Sequence, residues 1–573
     1  MKKILILLFF VTCIGFILRT YHITTNPPAL SWDEVSIGYN AYSILKTGRD
    51  EHGRFLPLDT FIAYGDYKPP LPIYVTVPFV ALFGLNELAV RLPSAVSGTL
   101  SVFLAYFTVI ELFRRYPKFS TSIHKLKEKN ALPAVVLNSE MLALLNAMLL
   151  AVSPWHINLS RAGFEGNIAL FFVLLGVFVF LRARANPKVW TVALIPFVAA
   201  IYTFNSSRYF VFILFISLVV FCWNEIRSHW RHAVIGLMIA VLITAPALPH
   251  LISKEARLRF TEVNIFSDPS IVEISNERMQ RDGNSIIAKI VHNRRIGYAR
   301  SFVIHFFDNL QPDFLFIKGD GNPKFSTQDV GQLYLIDAPF LVLGLLAMFA
   351  ANSDIAFFLL VWLLGAIVPA AVARETPHAL RILNSLPTWQ IFIAYGLIAF
   401  LTKIVAYSRK NKATGVIPII RRSALAVVTA VVLAVYTFQI TYYLYNYHLH
   451  YPRIYASEWQ YGYKQAFEYI KKKYASYDHI YISDRIGRPY MYALFYTLYD
   501  PSQFQQVKNS FFDAAGFYHV NSFDKYTFVK EAPVTMLPKS LIVGDAYWVK
   551  NSDRALQKIR YPNGTEALVI FER

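Results

Sequence analysis

The chain has 573 residues, 55% of them hydrophobic and only 16% charged, against about 25% charged in soluble globular proteins, so a wholly water-soluble protein is excluded. Its 16% aromatic content excludes intrinsic disorder, and its two cysteines, Cys13 and Cys222, both in apolar stretches, exclude a disulfide framework. The net charge of +19 lies in short basic stretches between apolar runs, the positive-inside pattern of a polytopic membrane protein rather than the footprint of a nucleic-acid binder.

Met1-Lys2-Lys3 precedes the apolar run Ile4–Leu18. No small-x-small cleavage site precedes Tyr21, so the run reads as an uncleaved first transmembrane helix rather than a signal peptide. Further apolar runs lie near 71–84, 93–113, 140–153, 167–181, 189–204, 208–223, 233–249, 338–351, 355–373, 387–402 and 423–442. Several fall short of the ~20 residues that cross a bilayer, and the expected total is about eleven to thirteen crossings. The basic stretches Arg114–Lys129, Arg182–Lys188, Arg227–Arg231 and Lys403–Arg422 read as cytoplasmic. The segments 21–70, 154–166, 205–208, 250–337, 374–386 and everything after about 443 then share the outer face. One parity conflict stands. If 71–84 and 93–113 both cross, Arg114 falls outside; Pro69, Pro70, Pro72 and Pro78 make 71–84 a poor straight helix.

The expected division is a transmembrane domain over 1–442, with outer loops 21–70 and 250–337, and a soluble α/β domain over 443–573. In the tail the spacing predicts a helix over Glu458–Tyr474 and a strand over His479–Ser483. A helix near Pro489–Tyr499 and a strand over Ser540–Val543 follow. A hairpin ends the chain, with Pro562-Asn563-Gly564 turning Lys558–Tyr561 into Ala567–Phe571.

Chemistry-bearing residues concentrate on the outer segments. The first loop carries Ser31-Trp32-Asp33-Glu34, Gly48-Arg49-Asp50-Glu51-His52-Gly53 and Gly65-Asp66-Tyr67-Lys68. A carboxylate near apolar walls gains proton affinity and can act as a general base. The competing reading is structural, with Ser31 or Asp33 capping a helix. Arg161 and Glu165, four apart, read as a pair on one helix face that is either functional or a structural ion pair. Arg208 either snorkels or holds a phosphate. Arg374 and Arg381 either clamp a phosphate or anchor the interface. The turn-rich stretch Gly319-Asp320-Gly321-Asn322 reads as a loop packed over a cavity. No Walker sequence, nucleotide glycine loop, paired cysteine or His-Glu-x-x-His motif is present. Chemistry at the outer face then needs a substrate activated beforehand, and a lipid-linked phosphosugar meets that need.

These residues also carry a resemblance. Trp32-Asp33-Glu34, Gly48-x-Asp50-x-x-Gly53, Lys68-Pro69-Pro70-Leu71-x-x-Tyr74, Phe83-Gly84 and Arg91-Leu92-Pro93-Ser94 stand in this order. Ser153-Pro154-Trp155-His156, with Arg161 and Glu165, and His378-x-x-Arg381 follow. Together they resemble the lipid-phosphosugar-dependent glycosyltransferases of the C-type fold (GT-C). The similarity is to the bacterial branch related to protein O-mannosyltransferases and the lipid A aminoarabinose transferase. It covers roughly residues 1–440.

The resemblance implies an inverting transfer from a polyprenyl-phosphate sugar to a hydroxyl of a lipid, glycan or protein acceptor, at the outer face of the plasma membrane. Asp33 is then the base, and Glu34 contacts acceptor or sugar. Lys68 neutralises the lipid phosphate, with Arg161, Arg208 or Arg381 as further cations, and Tyr74, Glu165 and His378 complete the substrate site. No metal or other cofactor is expected, because the metal-binding Asp-x-Asp and the Trp-Trp-Asp motif of the oligosaccharyltransferase branch are absent. A glycan ligase or polymerase, and a lipid-sugar transporter, are the rival readings. The transporter predicts inverted repeats, and none is evident.

Overall fold

The computed structural model describes residues 2–114, 139–251, 253, 263–409, 416–514, 516–532, 537–549 and 554–572. Most of the expected basic loop 114–129 and the centre of 403–422 lie outside the described residues.

Helices dominate the first 454 residues. Among the described residues, seven are long and apolar enough to cross a membrane: Lys2–Thr20, Glu87–Arg114, Glu165–Arg182, Trp230–Ala247, Ser353–Ala371, Leu383–Ile404 and Ala426–Ile454. The pair Ser139–Val152 and Pro154–Arg161 qualifies as one span bent by 55°, at the point where Ser153 ends one helix and caps the next. Four shorter apolar helices are Leu71–Phe83, Pro187–Ile201, Asn205–Phe221 and Asp337–Ala351. Glu87–Arg114 is the hub, 72% buried over its most apolar window. Small residues let its neighbours approach: a side-chain carbon on Gly98 would strike Ser160 at 2.5 Å.

The parity conflict resolves at Leu71–Phe83. Leu71 N–H donates to Tyr202 O at one end. Beyond the other end, Glu87 pairs with Lys464 of the tail at 2.8 Å. Both ends therefore lie on one face. A 13-residue helix is ~20 Å long, short of the ~30 Å apolar layer. Leu82 and Phe83 are exposed, as suits a helix lying at the membrane surface. On the opposite face Glu111 receives Arg114 and Arg182, each at 2.9 Å, so the basic ends of two spans meet there. The seven long spans and the bent pair make eight candidate crossings among the described residues, and three of the shorter helices would bring the number to eleven.

The last span runs through the expected 442/443 boundary to Ile454, so the sheet-bearing unit begins beyond it. The Glu458–Tyr474 helix is shorter than expected, Tyr463–Lys473, because Gln460 and Gly462 take positive φ and break it. A small hairpin, β1 (Phe61–Ala63) and β2 (Asp66–Lys68), precedes the tail in the first loop. The tail sheet contains β3 (His479–Ser483), β4 (Asn509–Phe512), β5 (Tyr518–Phe523), β6 (Tyr526–Val529), β7 (Ser540–Gly544), β8 (Arg554–Arg560) and β9 (Glu566–Glu572), in the order β4-β5-β6-β3-β7-β9-β8. β3 runs parallel to β6 and β7, and the other pairings are antiparallel.

One face of the sheet, with Ile480, Ile482, Leu541 and Val543, shares a core with Leu30, Val35, Tyr39 and Tyr64 of the first loop. The tail is thus fastened to loop 21–70 and lies on the same face of the protein. Tyr492 Oη donates to Leu30 O at 2.9 Å, and Lys508 Nζ donates to Glu51 O at 2.9 Å.

Candidate active site

A cavity of about 550 Å³ opens at the face that carries the tail. Its walls come from every segment assigned above to the outer side except the tail: Trp32, Asp33 and Lys68, Phe164 and Glu165, Arg208, Asn264, Lys324, then His378 and Arg381.

Asp33 and Glu34 part ways at once. Ser31 caps the Trp32–Thr47 helix, its hydroxyl accepting from Glu34 N–H while the Glu34 carboxylate accepts from Ser31 N–H at 2.9 Å. This reciprocal capping box occupies Glu34 and spares Asp33. Glu34 also pairs with Arg91 at 2.9 Å and accepts from Gly163 N–H at 3.0 Å, and it is 1% exposed. It is absent from the cavity wall, so the expected contact with acceptor or sugar does not fit: every strong direction of its carboxylate is taken inside the protein. Asp33, one residue earlier on the helix, points into the cavity with 36% of its side chain exposed.

Lys68 is the centre of a carboxylate cluster. Its Nζ lies 3.0 Å from Asp33, 3.2 Å from Glu165 and 3.3 Å from Asp66. Burial alone would lower its ammonium. Asp33, Glu165 and Asp66 outweigh burial and hold it well above its ordinary value. Three carboxylates around one ammonium repel a phosphate, so the phosphate role expected of Lys68 sits poorly with its surroundings. The β1–β2 hairpin places it, because Asp66 and Lys68 share one side of a strand.

Arg161 and Glu165 do not share a helix face. The first ends one helix and the second starts the next, with extended backbone at Ala162 between them. Gly163 permits this break, since a side-chain carbon there would press on Val90 O at 3.3 Å. Glu165 reaches the cavity. Arg161 turns inward, donating to Leu18 O, Tyr21 O and Asn26 O and lying over Tyr447. Four of its five N–H donors serve in joining the first span to the last, and it is fully buried and off the cavity wall. Tyr74 is also off the cavity wall; its hydroxyl donates to Pro57 O at 3.0 Å.

Three further cations line the cavity, Arg208, Lys324 and Arg381. Arg208 makes one hydrogen bond among the described residues, a 3.5 Å contact of Nε with Ile201 O. Arg381 reaches Glu375, donating to its carbonyl at 3.1 Å. Lys324, which single-residue motifs did not bring out, lies 4.5 Å from the Trp32 ring centroid, and burial lowers its ammonium. It belongs to the turn-rich loop after Gly319 expected to pack over a cavity, and that expectation was the available signal. In the same loop, burial raises Asp320 to about 6 even though its carboxylate accepts from Ala379 N–H. His378 packs on Phe325 with ring centroids 4.9 Å apart, and burial keeps it well below its ordinary value, so it is neutral. No group of three or more metal-ligating side chains occurs among the described residues.

The profile of the dolichyl-phosphate-mannose-protein mannosyltransferase family matches residues 9–120. No curated protein sequence matches significantly. Among solved structures, ArnT from Cupriavidus metallidurans is similar in its apo state, at 12% identity and TM-score 0.50 over 100% of this chain and 97% of that one. The same protein bound to undecaprenyl phosphate is similar at 13% identity and TM-score 0.50, over 100% and 98%. An oligosaccharyltransferase of Archaeoglobus fulgidus is similar at 13% identity and TM-score 0.48, over 90% and 74%. In its first-loop match and in its fold, the chain resembles the C-type-fold, lipid-phosphosugar-dependent glycosyltransferases related to protein O-mannosyltransferases and the lipid A aminoarabinose transferase.

Proposed function

We propose that this protein is an integral-membrane glycosyltransferase that moves a sugar from a polyprenyl-phosphate donor to an acceptor hydroxyl, with inversion, on the outer face of the membrane. The observation that carries the reading is a single cavity whose wall holds Asp33, 3.0 Å from Lys68, together with the further cations Arg208, Lys324 and Arg381. The match of residues 9–120 to a family of polyprenyl-phosphosugar users supports the donor class. So does the fold shared with ArnT, which binds undecaprenyl phosphate.

The parts suit a single displacement. The cations meet the phosphate charge and make polyprenyl phosphate a competent leaving group. Asp33 takes the proton of the acceptor hydroxyl as its oxygen bonds the anomeric carbon. The bond from that carbon to the phosphate oxygen breaks, and the phosphate leaves with the electron pair. Lys68 holds Asp33 in position, and Glu34 with Arg91 fixes the helix that bears it. The test is to incubate the purified protein with radiolabelled polyprenyl-phosphate sugars and a membrane extract, then identify the labelled product. Label should pass to a lipid, glycan or protein with wild type and not with Asp33→Asn. Label that stays on the polyprenyl phosphate with both, across a full panel of sugars, sinks the reading.

A further inference from the structure

The tail contains a second hollow, of about 400 Å³, in the size range of small-ligand sites. It opens beyond the carboxyl ends of β3 and β6, where Asp484 follows one strand and Lys530 the other. β3 is parallel to β6 on one side and to β7 on the other, and open α/β sheets hold ligands outside the carboxyl ends of such strands.

The chemistry of the wall is selective. Phe511 is 47% exposed and stacks on His519, ring centroids 5.2 Å apart and planes 22° apart, which gives the hollow a flat aromatic flank. Asp513 holds His519 from behind at 3.0 Å. Acceptors (Asp484, Asp513) and donors (Arg488, Lys530) stand together in its wall. A phosphate asks for donors only and is repelled by two carboxylates. A lipid chain asks for an apolar wall. A sugar ring asks for an aromatic flank against its C–H face and for donors and acceptors together, because each hydroxyl is both.

The hollow is also coupled to the membrane cavity. Arg488 lies over Tyr64 at 4.9 Å from the ring centroid, and the Tyr64 hydroxyl donates to Trp32 O at 2.9 Å. Gly487 sits so close to the Trp32 ring that a side-chain carbon there would lie 3.3 Å from it. We infer that the hollow is a saccharide subsite, holding a sugar of the acceptor at a distance from the hydroxyl that is glycosylated. The acceptor role rests on the proposed function; the sugar-binding role does not.

The experiment uses the full chain in lipid nanodiscs, with a fluorescent tag, on an array of linear neutral, amino-sugar and uronic-acid oligosaccharides, alongside an array of unglycosylated peptides. Wild type and Asp33→Asn should retain the same glycans. Phe511→Ala and Lys530→Ala, both at exposed positions, should each bind them about tenfold more weakly, the scale of one stacking or polar contact. Two outcomes overturn the inference: glycan retention unchanged in both variants, or capture of peptides and no glycan. Asp33-dependent transfer with no glycan retention removes the subsite alone. Retention that depends on Phe511 and Lys530, with no transfer by wild type, removes the proposed activity alone.

Discussion

Neighbouring carboxylates in one helical turn can have opposite fates, and Asp33 and Glu34 can be separated experimentally. Asp33→Asn removes a proton acceptor at a cavity wall without changing shape. Since Ser31 is the cap, folding should survive, while general-base loss lowers turnover by about 10²–10⁴-fold. Donor-lipid binding by the same variant should persist. Glu34→Gln should do the reverse and appear first in stability. Arg91, 0% exposed, would keep a buried charge with no carboxylate opposite, a loss of about 3–5 kcal/mol that thermal unfolding in detergent would register. Normal turnover by Asp33→Asn would transfer the base role to Glu165. The cations divide likewise. Lys324→Ala should weaken polyprenyl-phosphate binding about 10–100-fold, the value of a charged hydrogen bond, and Lys68→Ala should chiefly lower turnover. Arg227→Ala, on the opposite face, serves as the control, and equal losses from Lys324 and Arg227 would show that both only anchor the protein. The sequence made the motifs around Asp33, Lys68 and Glu165 legible because they are local. It did not show that Arg161 turns inward, because the break at Ala162 depends on how closely Gly163 approaches Val90, which is a tertiary contact.

At the scale of elements, the first loop and the tail form one unit. The tail strands His479–Ser483 and Ser540–Gly544 were readable from their apolar runs, and the final hairpin from its Asn-Gly turn. β4, β5 and β6 were not, because their alternation is short and interrupted by Gly516 and Asp524, both at positive φ. Nor did the sequence reveal that the tail's core continues into loop 21–70, since that burial is shared between segments more than 400 residues apart. The junction contains Glu51, which is buried and accepts a hydrogen bond from Asn40 at 3.2 Å. Burial raises its carboxyl from 4.5 to about 8. The folded state therefore keeps a proton that the unfolded chain has released, and between these values stability falls as pH rises. His52, driven by burial from 6.5 down to about 3, acts with the opposite sign, and only below 6.5. Of this pair Glu51 alone operates above that point. The thermal midpoint of the purified protein should then fall between pH 6.5 and 8, and Glu51→Gln should flatten that fall. A wild-type midpoint that holds steady across this window would show that Glu51 is not protonated at the junction.

For the whole molecule, function depends on which face the cavity occupies, and that depends on whether Leu71–Phe83 crosses the membrane. Hydropathy could not decide this. The run is as apolar as its neighbours, and only the positions of its two ends, beside Tyr202 and beside Lys464, show that it returns to the face it left. With that helix at the surface, the basic ends of Glu87–Arg114 and Glu165–Arg182 meet on one side and the cavity lies with the tail on the other, and the proposed orientation puts the basic side in the cytoplasm. Single cysteines in a chain with Cys13 and Cys222 replaced, probed with a membrane-impermeant maleimide in right-side-out vesicles, would test the arrangement. Ser285→Cys, in the exposed loop between spans, should react without permeabilisation, and Ser228→Cys only after it. The deciding position is Asn86, just past the short helix. Asn86→Cys should react with Ser285→Cys, because Glu87 beside it meets the tail. Labelling of Asn86→Cys only after permeabilisation, with Ser285→Cys already labelled, would mean that Leu71–Phe83 crosses. The first loop and the tail would then lie on opposite sides, in conflict with the core they share, and the cavity could not be assembled from the first loop and the segments around Glu165, Arg208, Lys324 and Arg381.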